Sequence, residues 1–223
     1  MTTRVRARDF TERGLTDWRV LRRSIEATYR CGSFAAAGSF VLAVADVCDK
    51  QDHHASVDLR YPDLVHIRST THYLDAVTDR DVALAGSISG LARERGFAST
   101  PSANSVLEIA IDALDIGAVR PFWQAVLDYV EGKPEEDGTV VDLYDPNDIG
   151  PPLWFQQLDS PRRQRNRIHL DVVVPHDVAE ERLAATIQAG GRLVSDAAAR
   201  AFWVLADPEG NEACICTWQD RND

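Results

Sequence analysis

The chain has 223 residues, 44% of them hydrophobic and 26% charged, with five Trp and a single Met. That is enough for one or two folded domains, each able to bury its own core. Its formal net charge of −11 and pI of about 5.0 exclude a nucleic-acid surface and an anionic membrane as partners, because both demand excess positive charge.

No apolar run is long enough to span a bilayer. Near the N-terminus Arg4, Arg6 and Arg8 are followed by no apolar stretch, so no signal peptide is expected. The four cysteines, Cys31, Cys48, Cys214 and Cys216, have neither CxxC spacing nor the density of a disulfide scaffold. A reducing, cytoplasmic location is therefore the expectation.

In chain order, Trp18 to Arg30 alternates in part and reads as two short strands, with a turn near Arg22-Arg23. Ser33 is a good N-cap, and Phe34, Ala37, Val41, Val44 and Cys48 draw one apolar stripe along a helix. That helix runs out at Asp49 to Asp52 and delivers His53 and His54 side by side beyond its end. Two strands follow, turned at Pro62-Asp63. In the return strand Val65, Ile67 and Ser69 share one face, while Leu64, His66, Arg68, Thr70 and His72 share the other. Thr78 to Asp81 has the spacing of a capping box, opening a helix with the stripe Leu84, Ile88 and Leu91.

Residues 96–105, GFASTPSANS, are small and polar and read as a linker. The expected division is a first domain over 1–96, a linker over 97–104 and a second domain over 105–223. In the second domain, Val106 to Asp112 reads as a strand, and Phe122, Trp123, Val126, Leu127 and Val130 as a helix that Pro121 fits poorly unless it lies in the first turn or kinks it. Strands are expected at 139–144 and 153–158, and the cluster Arg162, Arg163, Arg165 and Arg167 as a solvated loop. The pattern then restarts. A strand over 168–174 leads to a helix N-capped by Asp177 with Glu180 at the box position and stopped by Gly190-Gly191; strands at 192–194, 201–205 and 212–218 complete it. Glu108 and His169 fall at like places in the two halves, which points to an internal duplication.

Histidine is the side chain that titrates nearest neutrality, so the set His53, His54 and His72 with the carboxylate Asp81 suits a reaction that moves protons both ways. Taken alone, a His pair at a helix end also suits the helix macrodipole, and Asp81 also reads as a first-turn carboxylate. His66 reads as a surface or strand residue.

On Asp49, the pair His53-His54, Tyr61, His72 and Asp81, within DHHASVDLRY and STTHYLDAVTDRDVALA, the N-terminal part resembles the pterin-4a-carbinolamine dehydratase family. It departs from that pattern at Ala55, where the family usually has Pro, and by one extra residue between Tyr61 and His72. The resemblance implies loss of water from a 4a-hydroxytetrahydrobiopterin-type carbinolamine, giving quinonoid dihydropterin. A proton goes to the leaving hydroxyl and another comes off the neighbouring ring nitrogen, with no cofactor. His54 and His72 would be the principal acid and base, with His53 sharing the proton or holding substrate. Asp49, Tyr61 and Asp81 would bind or orient. A homo-oligomer with a small-molecule pterin substrate is implied.

On IDALD, RPFWQAVLDY, LWFQQLD, NRIHLDV and DPEGNEACIC, the C-terminal part resembles a glyoxalase-like domain of the vicinal oxygen chelate superfamily. The implied fold class is α+β: an antiparallel sheet with helices on one face, then two βαβββ modules around a cleft. Active members of that superfamily often hold a metal with one residue from each of four strands. The corresponding positions here are Glu108, Trp154 or Gln156, His169 and Cys214, with Glu212 two residues before the last. So mixed a donor set leads to the expectation of no bound metal. The alternative implied function is a small-molecule lyase, dioxygenase-like or ligand-binding role in that cleft, with the N-terminal domain as a dimerisation module.

Overall fold

The computed structural model describes residues 2–133, 142–161 and 168–220. The chain forms two compact units, one ending at Val106 and the other beginning at Leu107, and both mix helices with sheets. The arginines at 162, 163, 165 and 167 lie outside the described residues.

In the first unit a short helix α1 (Ala7–Thr11) leads into strands β1 (Arg19–Leu21) and β2 (Ser24–Arg30). Arg22 turns the chain between them with φ 53°. Helix α2 (Phe34–Gln51) is capped by Ser33, whose hydroxyl accepts from the Ala36 N–H at 3.1 Å. Strands β3 (Ser56–Arg60) and β4 (Leu64–Ser69) form a hairpin, and helix α3 (Asp79–Glu94) opens on the capping box of Thr78 and Asp81. Strand β5 (Ala98–Ser99) closes the unit.

The antiparallel sheet runs β1-β2-β4-β3, with β5 on the same edge of β2 as β1. Period-two alternation turns Ile25, Ala27, Tyr29, Val65 and Ile67 toward the helices. There they meet Phe40, Val44, Leu84 and Ile88 in one core. Phe40 anchors the α2 side of that core; Phe34, expected in the stripe, is more than half exposed.

The 97–104 stretch is bound to the first unit rather than free as a linker. Phe97 meets Phe40 edge-on at 5.3 Å, Ala98 and Ser99 pair with Arg30 and Tyr29, and the Asn104 side chain bonds Thr28 and the Glu26 carbonyl. The open N–H and C=O groups on the β2 edge account for this, since they recruit any extended backbone regardless of its side chains.

The second unit repeats one topology. Strand β6 (Ile109–Ala113), helix α4 (Ile116–Leu127) and strands β7 (Val130–Glu131), β8 (Asp142–Tyr144) and β9 (Leu153–Gln157) make a sheet of order β6-β9-β8-β7. Strand β10 (Leu170–Val173), helix α5 (Ala179–Gln188) and strands β11 (Arg192–Ser195), β12 (Phe202–Ala206) and β13 (Glu212–Cys216) make β10-β13-β12-β11. In both, the first strand lies parallel to the fourth and the remaining pairs are antiparallel. Glu108 and His169 each precede a first strand by one residue, as the duplication implies. One core, including Phe122, Trp123, Leu143, Leu153, Trp203, Leu205 and Ile215, serves both modules.

Pro121 lies inside α4, beyond its first turn. Two local expectations are corrected. Val130, expected in that helix, lies in β7. Asp177 does not cap α5: the N-cap is Val178, with no side-chain cap, because Pro175 to Val178 forms a turn closed by the Val178 N–H on the Pro175 carbonyl.

The end of α5 is tightly constrained. Gly190 has φ 97°, and a Cβ at Gly191 would lie 2.6 Å from the Phe122 ring and 2.7 Å from the Thr186 carbonyl. Both neighbours are fixed by packing, so Gly191→Ala should destabilise the second unit by about 2 kcal/mol. Urea unfolding followed by Trp fluorescence measures this, and an unchanged midpoint would mean that α5 shifts freely.

Candidate active site and a three-donor cluster

Asp81 is fully buried at the first turn of α3. Its Oδ1 accepts from the Ser69 hydroxyl at 2.6 Å and from His53 Nε2 at 2.8 Å. Its Oδ2 accepts from the Thr71 hydroxyl at 2.8 Å, the Thr78 N–H at 2.7 Å and the Thr78 hydroxyl at 3.1 Å. Burial alone would raise its pKa. The bonds from Ser69, His53, Thr71 and the Thr78 backbone outweigh that, and the net shift is downward. An ionised Asp81 must receive a proton from His53 Nε2, which leaves Nδ1 as the ring's acceptor. The two structural readings of Asp81 therefore hold together: it caps its helix and it orients an imidazole.

His54 turns the other way. It is exposed, and its Nε2 lies 3.0 Å from Asp49 Oδ1 on the last turn of α2. A second carboxylate thus fixes a second imidazole with Nδ1 outward. Continuing the Ser56↔Arg68 register two residues back sets His54 opposite Thr70. His72 is exposed in the turn that follows β4, where the Asp75 N–H donates to its carbonyl at 3.3 Å. His53 and Thr71 fall on the inner face, consistent with both bonding Asp81. Of the three histidines, His53 is buried and His54 and His72 are exposed.

Tyr61 does not join them. It is 89% exposed at the hairpin turn, five residues from Ser56 at the opposite end of β3, or about 16 Å away at the usual strand rise. Sequence proximity to the motif misleads here because a strand carries its two ends apart. Ser69, Thr71 and Thr78 were not expected at the site. The signal that marks Ser69 is its inward phase in β4, ahead of a carboxylate that must find donors.

In the second unit His169, Asp171 and Cys214 bring one donor atom each to within 4.8 Å of one another. Asp171 pairs with Cys214 across β10 and β13 and lies 3.2 Å from His169 Nε2. Among the described residues this is the group with the spacing to hold an ion. Neither Glu108 nor Glu212 belongs to it, and Asp171, not expected from the sequence, does. Trp154 and Gln156 stand on the other sheet, opposite Ala110 and Asp112. Three mixed donors match the number in a catalytic zinc centre, but they come from one module rather than from four strands. Burial, with Asp171 beside it, pushes the Cys214 thiol up to about 12.

Fold and site together define a histidine–carboxylate α+β unit joined to a duplicated βαβββ unit. Residues 3–91 match the family model for pterin 4 alpha carbinolamine dehydratase, and residues 108–216 match that for a glyoxalase-like domain. A Chloroflexus aurantiacus protein named "Putative pterin-4-alpha-carbinolamine dehydratase" is 38% identical over 72 residues, covering 32% of this chain and 76% of the relative. A Thermomicrobium roseum protein of the same name is 35% identical over 75 residues, covering 34% and 80%. The crystal structure of a transcriptional coactivator/pterin dehydratase from Brucella melitensis aligns at 23% identity and TM-score 0.38, covering 40% of this chain and 99% of that one. That of a glyoxalase/bleomycin resistance protein/dioxygenase family enzyme from Burkholderia phytofirmans PsJN aligns at 20% identity and TM-score 0.40, covering 49% and 95%. The chain belongs to the pterin-4a-carbinolamine dehydratase family through its N-terminal unit, and its C-terminal unit is similar to a glyoxalase-like domain over residues 108–216.

Asp81→Asn replaces an acceptor of five bonds by a group with one acceptor oxygen. The expected loss is about 3 kcal/mol, in the range for breaking a buried charged network. Because the folded-state pKa of Asp81 lies below the ordinary 3.8, its contribution is complete above that value and disappears as pH falls through the folded one. Urea unfolding of both proteins should show a constant gap from pH 7 to 5 that narrows below about pH 4. A gap that widened in acid would contradict the assignment.

Proposed function

We propose that the first unit dehydrates a pterin 4a-carbinolamine, of the 4a-hydroxytetrahydrobiopterin type, to the quinonoid dihydropterin and water. The observation that carries this reading is the pair of imidazoles fixed by carboxylates, His53 on Asp81 and His54 on Asp49, in a unit of that family. Dehydration needs a proton delivered to the 4a-hydroxyl as the C–O bond breaks, and one removed from the adjacent ring nitrogen. Histidine serves both steps near neutral pH without a cofactor.

His54 and His72, both exposed, act as the acid and base. Asp49 sets the tautomer of His54. Buried His53, held by Asp81, positions the chain that carries His54, and Tyr61 takes no part. The reading includes a homo-oligomer in a reducing cytoplasm, where the four cysteines, all free, stay reduced.

The purified protein should accelerate carbinolamine dehydration, with the rate unaffected by chelator. His54→Ala and His72→Ala should each lower kcat by about 10²–10⁴-fold, the usual worth of general acid–base catalysis. Rates equal to wild type in both variants would remove these residues from the mechanism.

Every residue given a role lies between Asp49 and Asp81, so a 1–106 fragment should retain the activity of the full chain. The cut belongs after Val106 because Asn104 is bonded to the sheet. A folded but inert 1–106 fragment beside an active full chain would show that the site draws on the second unit.

The His169, Asp171 and Cys214 cluster favours a second reading, metal-dependent chemistry on a small molecule in the C-terminal unit. Activity that follows added zinc and disappears in Cys214→Ser, with His54→Ala unaffected, would select it.

A further inference from the structure

On the face of the first unit's sheet turned away from the helices lies a closed ring of polar groups that the proposed reaction does not use. The Asn104 side-chain NH₂ donates to the Glu26 backbone carbonyl at 3.2 Å. Since a carbonyl only accepts, this bond fixes which end of the amide is which. The Asn104 carbonyl oxygen then accepts from the Thr28 hydroxyl at 2.6 Å. Thr28 has one hydroxyl hydrogen, and that bond uses it. The contact between Thr28 Oγ1 and His66 Nδ1, 2.9 Å long, must therefore be donated by Nδ1–H. Neutral His66 is left with its lone pair on Nε2, and Nε2 faces Glu26 Oε2 at 3.5 Å. A carboxylate against an imidazole lone pair, with Glu26 only 4% exposed, would repel without compensation. One proton between them removes the conflict, whether it rests on oxygen or on nitrogen.

We infer that Glu26 and His66 hold a single shared proton, and that this proton is the latch of a clasp fastening the 98–104 segment to the sheet through Thr28 and Asn104. The remaining bonds of the segment run through the same place: the Thr100 N–H donates to the Thr28 carbonyl at 2.8 Å, and Ser99 pairs with Tyr29. The charged groups facing the pair are Arg68 on β4, with Asp58 and Arg60 on β3. Arg19, the β1 partner of Glu26, gives its guanidinium to the Thr16 and Trp18 carbonyls. The Ser24 hydroxyl, 3.0 Å from the Leu21 carbonyl, also lies 3.1 Å from the other oxygen of Glu26. Burial raises the Glu26 carboxyl against Ser24, Arg68 and Arg60, and burial lowers the His66 imidazole. Both shifts disfavour the charged forms, as a neutral pair sharing one proton requires.

The sign of the pH dependence follows. In the unfolded chain the pair holds two protons below the ordinary Glu value of 4.5, one between 4.5 and the ordinary His value of 6.5, and none above. The clasp holds one throughout. Its contribution is flat between those values, falls as pH drops below the first, and falls as pH rises above the second until the clasp itself gives its proton to solvent.

The test uses the full-length protein labelled with ¹⁵N. Long-range ¹H–¹⁵N spectra should show His66 protonated at Nδ1 at pH 6.5. A single titration step with a midpoint above 6.5 should be followed in common by His66, the Asn104 side-chain amide and the Thr100 amide. Glu26→Gln places an amide donor against Nε2 and keeps the contact without the titrating carboxyl. In that variant the Asn104 and Thr100 signals should become pH-invariant from 6 to 9. An Nε2–H tautomer of His66 in the wild type, which needs no variant to detect, would overturn the inference. So would a common midpoint below 6.5, or an Asn104 response that persists unchanged in Glu26→Gln.

Discussion

A carboxylate sealed from water can stay ionised only if the chain brings donors to it, and in the first unit much of the local architecture satisfies that condition for Asp81. Ser69 comes from the end of β4, Thr71 from just beyond it, Thr78 from the N-cap of α3, and His53 from the turn that leaves α2. One side chain thus ends a strand, starts a helix and sets the tautomer of an imidazole. Each donor lost would leave a lone pair unsatisfied in a medium where that is costly. The placement of the histidine pair is in this sense a by-product of a helix cap.

From this anchor the pair divides. Adjacent residues in an extended segment point to opposite faces, so pinning His53 inward obliges His54 to face out, where Asp49 receives it. The outer face then carries Arg68, His66, Thr28 and Glu26, with Leu64 at the end of the row. A sheet with helices on one side and ionisable groups on the other can carry chemistry on its open face while the core remains dry.

Much of this could be read from the sequence, and what failed did so for identifiable reasons. Ser33, Thr78 and Asp81 announced their helices because capping is a local matter between residues three apart. The inward phase of Val65, Ile67 and Ser69 followed from period-two alternation. The doubled βαβββ order showed itself as a pattern that restarts. Position across strands was not visible: Tyr61 lies near His54 in the motif but at the far end of β3, and Asp171 meets Cys214 only because β10 and β13 pair. Composition misled over 97–104, where small polar residues suggested a free tether and an open sheet edge claimed the backbone. Asp177 had the spacing of a cap but lost the role to a turn that begins at Pro175.

The parallel pairing of first and fourth strands has a consequence for the order in which the molecule can be completed. In the first unit every strand has its neighbour once β5 has been made, and the ribosome still has the whole second unit to add. In each βαβββ module the first strand must wait for the last, with a helix and two strands made in between. The last strand is central in each sheet, β9 between β6 and β8 and β13 between β10 and β12. A ribosome that stalls before Glu212 therefore holds a nascent chain whose first unit can already be native. The same chain presents two unpaired strand edges to chaperones and to neighbouring polypeptides.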